Sequence, residues 1–181
     1  MQEIYNRARN IRIAIFDVDG VLTDGSLHYA DSGEESKIFN VQDGHGMRML
    51  KDRGVKLAII TSRTSRNVEA RARNLGIDLL FQGASDKLDA FEALLARCGH
   101  RASECAYTGD DVVDLPVMTR CGLAASVPDA PAAVRRAAQY VARACGGRGA
   151  VREICELILY ARRLAGPRIA IDAGAQAAAA P

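Results

Sequence analysis

Residues 11–25 read Ile-Arg-Ile-Ala-Ile-Phe-Asp-Val-Asp-Gly-Val-Leu-Thr-Asp-Gly. The apolar, β-branched run Ile11 to Phe16 has the length and composition of a buried strand, and Asp17-Val18-Asp19-Gly20 follows it without a gap. In open α/β sheets the ligand crevice lies off the carboxyl ends of the strands, so two acids there stand where such a sheet does its chemistry. The following sequence continues in that style. A helix is expected near Gly46–Arg53, a strand over Val55–Ile60, a helix over Ser65–Leu75 and a short strand at Leu79–Phe81. Then come a helix over Ser85–Cys98, a strand at Cys105–Tyr107, a helix near Asp114–Arg120 and a strand over Leu123–Val127. Alternation of this kind predicts an α/β fold, a Rossmann-like parallel sheet with right-handed crossovers and helices on both faces.

Between the first strand and the first helix, the stretches SLHYA and SKIFNV flank the turn-like DSGEE, which predicts a small β-hairpin insertion over residues 26–41. Val151, Ile154, Cys155, Ile158 and Leu159 recur at helical spacing, giving a last amphipathic helix over Gly149–Leu164. Residues 1–165 are thus expected to form one domain, and the alanine-rich 166–181 a disordered tail.

The bulk properties narrow the function classes. The 181 residues are 49% hydrophobic and 25% charged, as in an ordinary globular domain. The 24 Lys+Arg and 22 Asp+Glu are interleaved, which argues against a nucleic-acid footprint. Cys98, Cys105, Cys121, Cys145 and Cys155 are odd in number and contain no C-x-x-C pair, so they read as reduced thiols of a cytoplasmic protein. The N-terminus lacks a signal-peptide core and no run is long enough to span a bilayer, so no membrane association is expected. No G-x-x-x-x-G-K-[ST] pattern occurs, which excludes P-loop chemistry.

Four polar clusters end predicted strands. Asp17-x-Asp19-Gly20 taken alone is as good a turn signature as a catalytic one. Thr61, after VKLAII, has the position of a phosphate ligand and equally of a helix cap. Lys87, opening a helix after Gln82-Gly83-Ala84, would ordinarily be a solvated surface residue. Asp110, Asp111 and Asp114 crowd three like charges, which favours a bound cation over a merely acidic helix start.

Their conjunction, in one order and each at its own strand end, resembles the haloacid dehalogenase-like superfamily of phosphohydrolases, whose four motifs match Asp17/Asp19, Thr61, Lys87 and Asp110. Within it the segments FDVDGVLTDG, FNVQDGHGMRML, QGASDK, GDDVVDLPVM and GGRGAVREICELIL are similar to phosphatases of an eight-carbon keto sugar-acid phosphate, a precursor of lipopolysaccharide. A phosphatase of a nine-carbon sugar-acid phosphate would share every catalytic residue, and similar domains also serve as non-catalytic tetramerisation modules. The resemblance implies Mg²⁺ as cofactor, held by the Asp17 carboxylate, the Asp19 backbone carbonyl and the Asp110 carboxylate. It implies Asp17 as nucleophile forming a phospho-aspartyl intermediate, Asp19 as acid and then base, and Thr61 and Lys87 on the transferring phosphoryl group. Asp111 and Asp114 would support the metal's waters or Lys87 from behind.

Substrate contacts are implied at Asp19, Asn40, Val41, Gln42, Asp43, Gly44, Arg48, Arg63, Arg71 and Lys87. His45 is as readily a surface or capping residue as a substrate contact, and Arg71 as readily lies on a solvated helix face. With only the hairpin at the cap position, the chain reads as capless. A homotetramer is therefore expected to enclose the site. The glycine-rich 145–150 segment reads as mobile, with Arg148 reaching a neighbour's substrate or simply solvated.

Overall fold

The computed structural model describes residues 1–165; the stretch expected to form a disordered tail lies outside them. Six parallel strands form the sheet: β1 (Ile13–Phe16), β4 (Lys56–Ile60), β5 (Leu79–Phe81), β6 (Cys105–Thr108), β7 (Leu123–Ser126) and β8 (Tyr140–Val141). Their order is β5-β4-β1-β6-β7-β8, and all pairs are parallel. Every residue of β1 is buried, because both its edges are paired and both its faces are covered, which is why its sequence is uniformly apolar rather than alternating. The chain leaves β1 toward β4 on one side and returns to β6 on the other. This reversal opens the crevice at the carboxyl end of β1.

The hairpin is present but slight, a two-residue β2 (His28–Tyr29) against a two-residue β3 (Glu35–Ser36). The α2 helix runs Val41–Asp52 and so begins five residues before the expected Gly46. Gly44 and Gly46 permit close packing inside the helix. A Cβ on Gly44 would stand 2.2 Å from an Arg71 guanidinium nitrogen, and one on Gly46 about as close as 3.0 Å to Arg152. Asn40 caps the helix, its Oδ1 accepting from the backbone N–H of Gln42 and Asp43.

The α3 helix (Arg66–Leu75) is capped by Ser65 and ends at the left-handed Gly76, and α4 (Lys87–Cys98) is capped by Asp86. In place of the expected helix over 114–120 there is a 3₁₀ turn at Val112–Asp114 followed by the single-turn α5 (Leu115–Met118). The last helix, α7 (Ala150–Ala165), packs its apolar stripe chiefly on α2. Four elements lack a sequence expectation: α1 (Gln2–Ala8), a 3₁₀ turn at Ala102–Glu104, α6 (Ala132–Ala137) and β8. Each is short, and its form is set by the neighbour it packs on rather than by periodicity.

The segment expected to be mobile is stitched to its own chain. Gly147 N–H donates to Val21 O at 2.9 Å, and Arg148 pairs with Asp24 at 3.1 Å. A Cβ on Gly146 would lie 1.8 Å from the Gly20 carbonyl oxygen and 3.0 Å from that of Thr23, both backbone atoms that cannot swing aside. Gly146→Ala is therefore expected to cost about 1–3 kcal/mol, the usual range for overpacking a close-packed site. It should lower the melting temperature measured by circular dichroism. A wild-type melt would show that the close approach is not required.

Candidate active site

Among the buried residues of the described chain, only a few are polar or charged, and Asp17, Thr61, Lys87 and Asp114 among them converge where β1, β4 and β6 end. Asp17 is the first residue after β1. Its N–H is tied to Thr108 O, its Oδ1 accepts from Val18 N–H at 2.7 Å, and its Oδ2 receives Lys87 Nζ at 2.6 Å. Lys87 also donates to Asp114 Oδ1 at 2.7 Å. A lysine at the first position of a helix faces the unfavourable end of the helix dipole. Two carboxylates offset this and explain how an ammonium only 4% exposed is tolerated.

Asp114 is fully used. Its Oδ1 also accepts from the Tyr107 hydroxyl at 2.7 Å, and its Oδ2 accepts from the Asp110 and Asp111 N–H groups, each at 3.0 Å. It therefore braces Lys87 and the backbone that carries Asp110. Asp111 does something else: its exposed carboxylate caps the 3₁₀ turn by accepting from Val112 N–H. The Asp110 carboxylate accepts from no donor among the described residues, yet one oxygen each from Asp17, Asp110 and Asp114 lie within 4.8 Å of one another.

Electrostatics shows what is missing from this cluster. Burial pushes the Asp17 carboxyl up to about 6, against the pull of Lys87, with Asp114 adding to the rise. Burial, then the charges of Asp17 and Asp114, push Asp110 to about 7. For Lys87, burial opposes the charge, but Asp17 and Asp114 outweigh it and hold the group above the ordinary lysine value. Three acids thus share one cation. The donor set fits a small hard divalent ion: two carboxylates, and an Asp19 carbonyl that accepts no hydrogen bond among the described residues. Gly20 is what lets Asp110 approach that backbone, since a Cβ there would sit 2.0 Å from Asp110 Oδ2.

This geometry predicts a pH-dependent stabilisation by Mg²⁺. A carboxylate whose folded pKa lies above its unfolded value of 3.8 destabilises the fold above the folded pKa, and that penalty disappears as pH falls toward 3.8. The metal-free penalty from Asp17 and Asp110 is therefore complete above about pH 7, where the ion has no proton to displace. The rise in melting temperature on adding Mg²⁺ should be larger at pH 8 than at pH 5. An equal or reversed effect would place the ion elsewhere.

The other expected residues fall into two groups. Thr61 follows β4, is buried, and its hydroxyl makes no hydrogen bond among the described residues, leaving it free for a phosphoryl oxygen. Arg63 lies on the same loop, with Nε 3.8 Å from Asp19 Oδ2. Arg48, Arg71, Gly44, Val41 and His45 line a separate cavity of about 200 Å³ beside the start of α2. There Arg71 donates to Asn40 O and Arg48 to Asn74 O. Gln42 is exposed. Asp43 is turned inward instead: 1% exposed, it accepts from Gly149 and Arg152 N–H and so caps α7. Lys37 was not anticipated. It sits just after β3, and its ammonium is ion-paired with Asp19. Its placement depends on how the hairpin folds back, and a lone lysine in a hairpin gives no local signal of that.

A parallel sheet with acids at the ends of β1 and β6, a threonine after β4 and a buried lysine opening α4 defines a hydrolase class. Residues 44–122 match the family model of haloacid dehalogenase-like hydrolases. The chain is 49% identical over 160 residues to the 3-deoxy-D-manno-octulosonate 8-phosphate phosphatase of Yersinia pestis, covering 88% of this chain and 86% of that protein. It is 47% identical to the Escherichia coli K12 protein of the same name, covering 88% and 85%. The crystal structure of the Yersinia pestis protein superposes with a TM-score of 0.87 over 88% of this chain and 86% of that one. That of the Moraxella catarrhalis phosphatase, in complex with magnesium ion, phosphate ion and KDO, has a TM-score of 0.89 at 46% identity, over 90% and 94%. The chain belongs to the 3-deoxy-D-manno-octulosonate 8-phosphate phosphatase family of haloacid dehalogenase-like hydrolases.

Proposed function

We propose that this protein is a Mg²⁺-dependent phosphatase that hydrolyses 3-deoxy-D-manno-octulosonate 8-phosphate to the free sugar acid and phosphate, a step in lipopolysaccharide precursor synthesis. The observation that carries the chemistry is the Asp17–Lys87–Asp114 chain beside an Asp110 carboxylate without a donor. The substrate follows from the relatives, one of which holds magnesium, phosphate and KDO.

A phosphate monoester is a dianion and Asp17 adds a further negative charge, so attack requires cationic compensation. Mg²⁺, held by the Asp17 carboxylate, the Asp19 carbonyl and the Asp110 carboxylate, would neutralise the phosphoryl group and orient it. Lys87 adds a fixed positive charge and keeps Asp17 ionised, while the Thr61 hydroxyl donates to a phosphoryl oxygen. Asp17 attacks phosphorus and forms the aspartyl phosphate. Asp19 gives a proton to the departing sugar oxygen, then takes one from the water that cleaves the acyl phosphate, so one group serves both steps.

Asn40 to Gly44, Arg48, Arg63 and Arg71 are the proposed contacts to the sugar acid, the arginines matching its carboxylate. Of these Asp43 has the least support, since its oxygens are engaged by α7. Release of phosphate from a panel of sugar phosphates, including a nine-carbon 9-phosphate, with Mg²⁺ and with chelator, tests the assignment. Preference for the nine-carbon substrate would select the alternative specificity. No release from any would favour a non-catalytic tetramerisation module.

The proposed assembly is a homotetramer. The hairpin leaves Leu27, Tyr29 and Ile38 exposed and its strand edges bare, which four copies would cover by pairing. Arg148 is 71% exposed while paired to Asp24, which leaves it accessible to a neighbouring subunit. A fully active monomer by sedimentation would overturn the tetramer. A cytoplasmic location is supported by the five free cysteines. No helix among the described residues is long and apolar enough to cross a membrane.

A further inference from the structure

Most of the hairpin is exposed, but Lys37 is not: its side chain is 2% accessible. Its ammonium is ion-paired with Asp19 Oδ1 and lies 2.8 Å from Glu35 Oε1. Glu35 Oε2 receives Arg63 at 2.5 Å, and Arg63 Nε faces Asp19 Oδ2 at 3.8 Å. Asp19, Lys37, Glu35 and Arg63 therefore close a ring of alternating charge that joins the loops after β1 and β4 to the hairpin. Asn67 pins the ring's hairpin side to α3 by donating to the Glu35 carbonyl at 2.9 Å.

Within this ring the two cations hold Asp19 unequally. Arg63 is 43% exposed and beyond hydrogen-bond distance of Asp19, so solvent screens most of its hold. Lys37 is desolvated and in direct contact. Separating the two would leave the desolvated ammonium with Glu35 alone to compensate it. Among the described residues nothing else binds the Asp19 carboxylate. An aspartate on a loop otherwise samples several rotamers, and proton transfer requires it within hydrogen-bond reach of the leaving oxygen.

We infer that Lys37 is a positioning residue for the reaction: the hairpin delivers its ammonium to Asp19 and fixes where the acid–base carboxylate points. This rests on the phosphatase reading above. It gives the short insertion a role within its own subunit, separate from any contact between copies.

The test is pre-steady-state and steady-state kinetics of the wild type, Lys37→Met, Lys37→Arg, Asp19→Asn and the Lys37→Met/Asp19→Asn double variant. Each is assayed with Mg²⁺ on the sugar-acid phosphate, whose alkoxide must be protonated, and on p-nitrophenyl phosphate, whose leaving group need not be. Lys37→Met should lower kcat on the sugar phosphate on the order of 10²-fold, the cost of misplacing a reacting group by about 1 Å. Its KM should hardly move, the rate constant of the p-nitrophenol burst should fall much less, and Lys37→Arg should recover most of the activity. The double variant should be no slower than Asp19→Asn, since Lys37 acts only through Asp19.

A p-nitrophenol burst slowed as much as turnover of the sugar phosphate, a rise in KM alone, or losses that multiply in the double variant would overturn the inference. The burst rate constant is independent of how much protein is folded, so it remains decisive if Lys37→Met is unstable. Wild-type protein that releases phosphate from neither substrate would overturn the phosphatase reading first, and this inference with it.

Discussion

Asp17→Asn is expected to abolish phosphate release from the sugar-acid phosphate while leaving the fold in place. The amide keeps the shape of the side chain and can still accept from Val18 N–H, but it offers no anionic oxygen to attack phosphorus. It also removes one of the two carboxylates that compensate Lys87, leaving Asp114 as the ammonium's only charged partner. Asp17 carries a carboxyl pushed up by burial, so losing that charge relieves repulsion with Asp110 even as it costs the pair with Lys87. The two effects oppose each other, and the melting temperature should change far less than the rate. The loss should appear equally on the sugar phosphate and on p-nitrophenyl phosphate, because both need the nucleophile. Turnover near the wild-type rate on either substrate would remove Asp17 from the mechanism.

The second large effect is expected at Asp19, and its signature differs. Asp19→Asn should slow hydrolysis of the sugar-acid phosphate by roughly 10²–10⁴-fold, the usual contribution of a positioned acid–base group. An alkoxide leaves poorly without a proton, whereas p-nitrophenolate leaves without help, so formation of the aspartyl phosphate from p-nitrophenyl phosphate should be partly spared. The amide still cannot take a proton from water, so the spared first step should be visible as a burst of p-nitrophenol followed by slow turnover. Uniform loss without a burst would mean that Asp19 serves the site some other way, for example by holding the loop that offers its carbonyl. Comparison with Asp17→Asn makes the result interpretable: one substitution removes the bond-forming atom, the other removes only the proton.

Specificity draws on a different part of the molecule. The groups proposed to handle phosphate lie at strand ends, most of them buried, while the arginines proposed for the sugar acid lie on α2, α3 and the loop after β4, and are more exposed. The ring formed by Asp19, Lys37, Glu35 and Arg63 connects the two layers, because Asp19 belongs to the centre and Arg63 to the rim.

The sequence by itself determined the succession of the sheet's main strands along the chain and the four motif positions. A strand paired on both edges and covered on both faces must be apolar throughout, as Ile13–Phe16 is, and the catalytic polar residues can begin only where that run stops. Spacing along the chain is enough for this, because each motif is local to one strand end. What the tertiary structure decided are the properties that depend on residues far apart in sequence. Lys87 is a buried ion-pair partner rather than a solvated helix start because Asp17 and Asp114, from two other loops, meet it. Asp43, implied as a substrate contact, has its carboxylate engaged in capping α7, since only packing of α2 on α7 brings Gly149 and Arg152 to it. The Gly146-Gly147 stretch read as mobile and lies locked against the 20–24 loop, where there is room for backbone only. Lys37 gave no signal at all, because its role exists only once the hairpin folds back over Asp19 and takes the lysine side chain out of water.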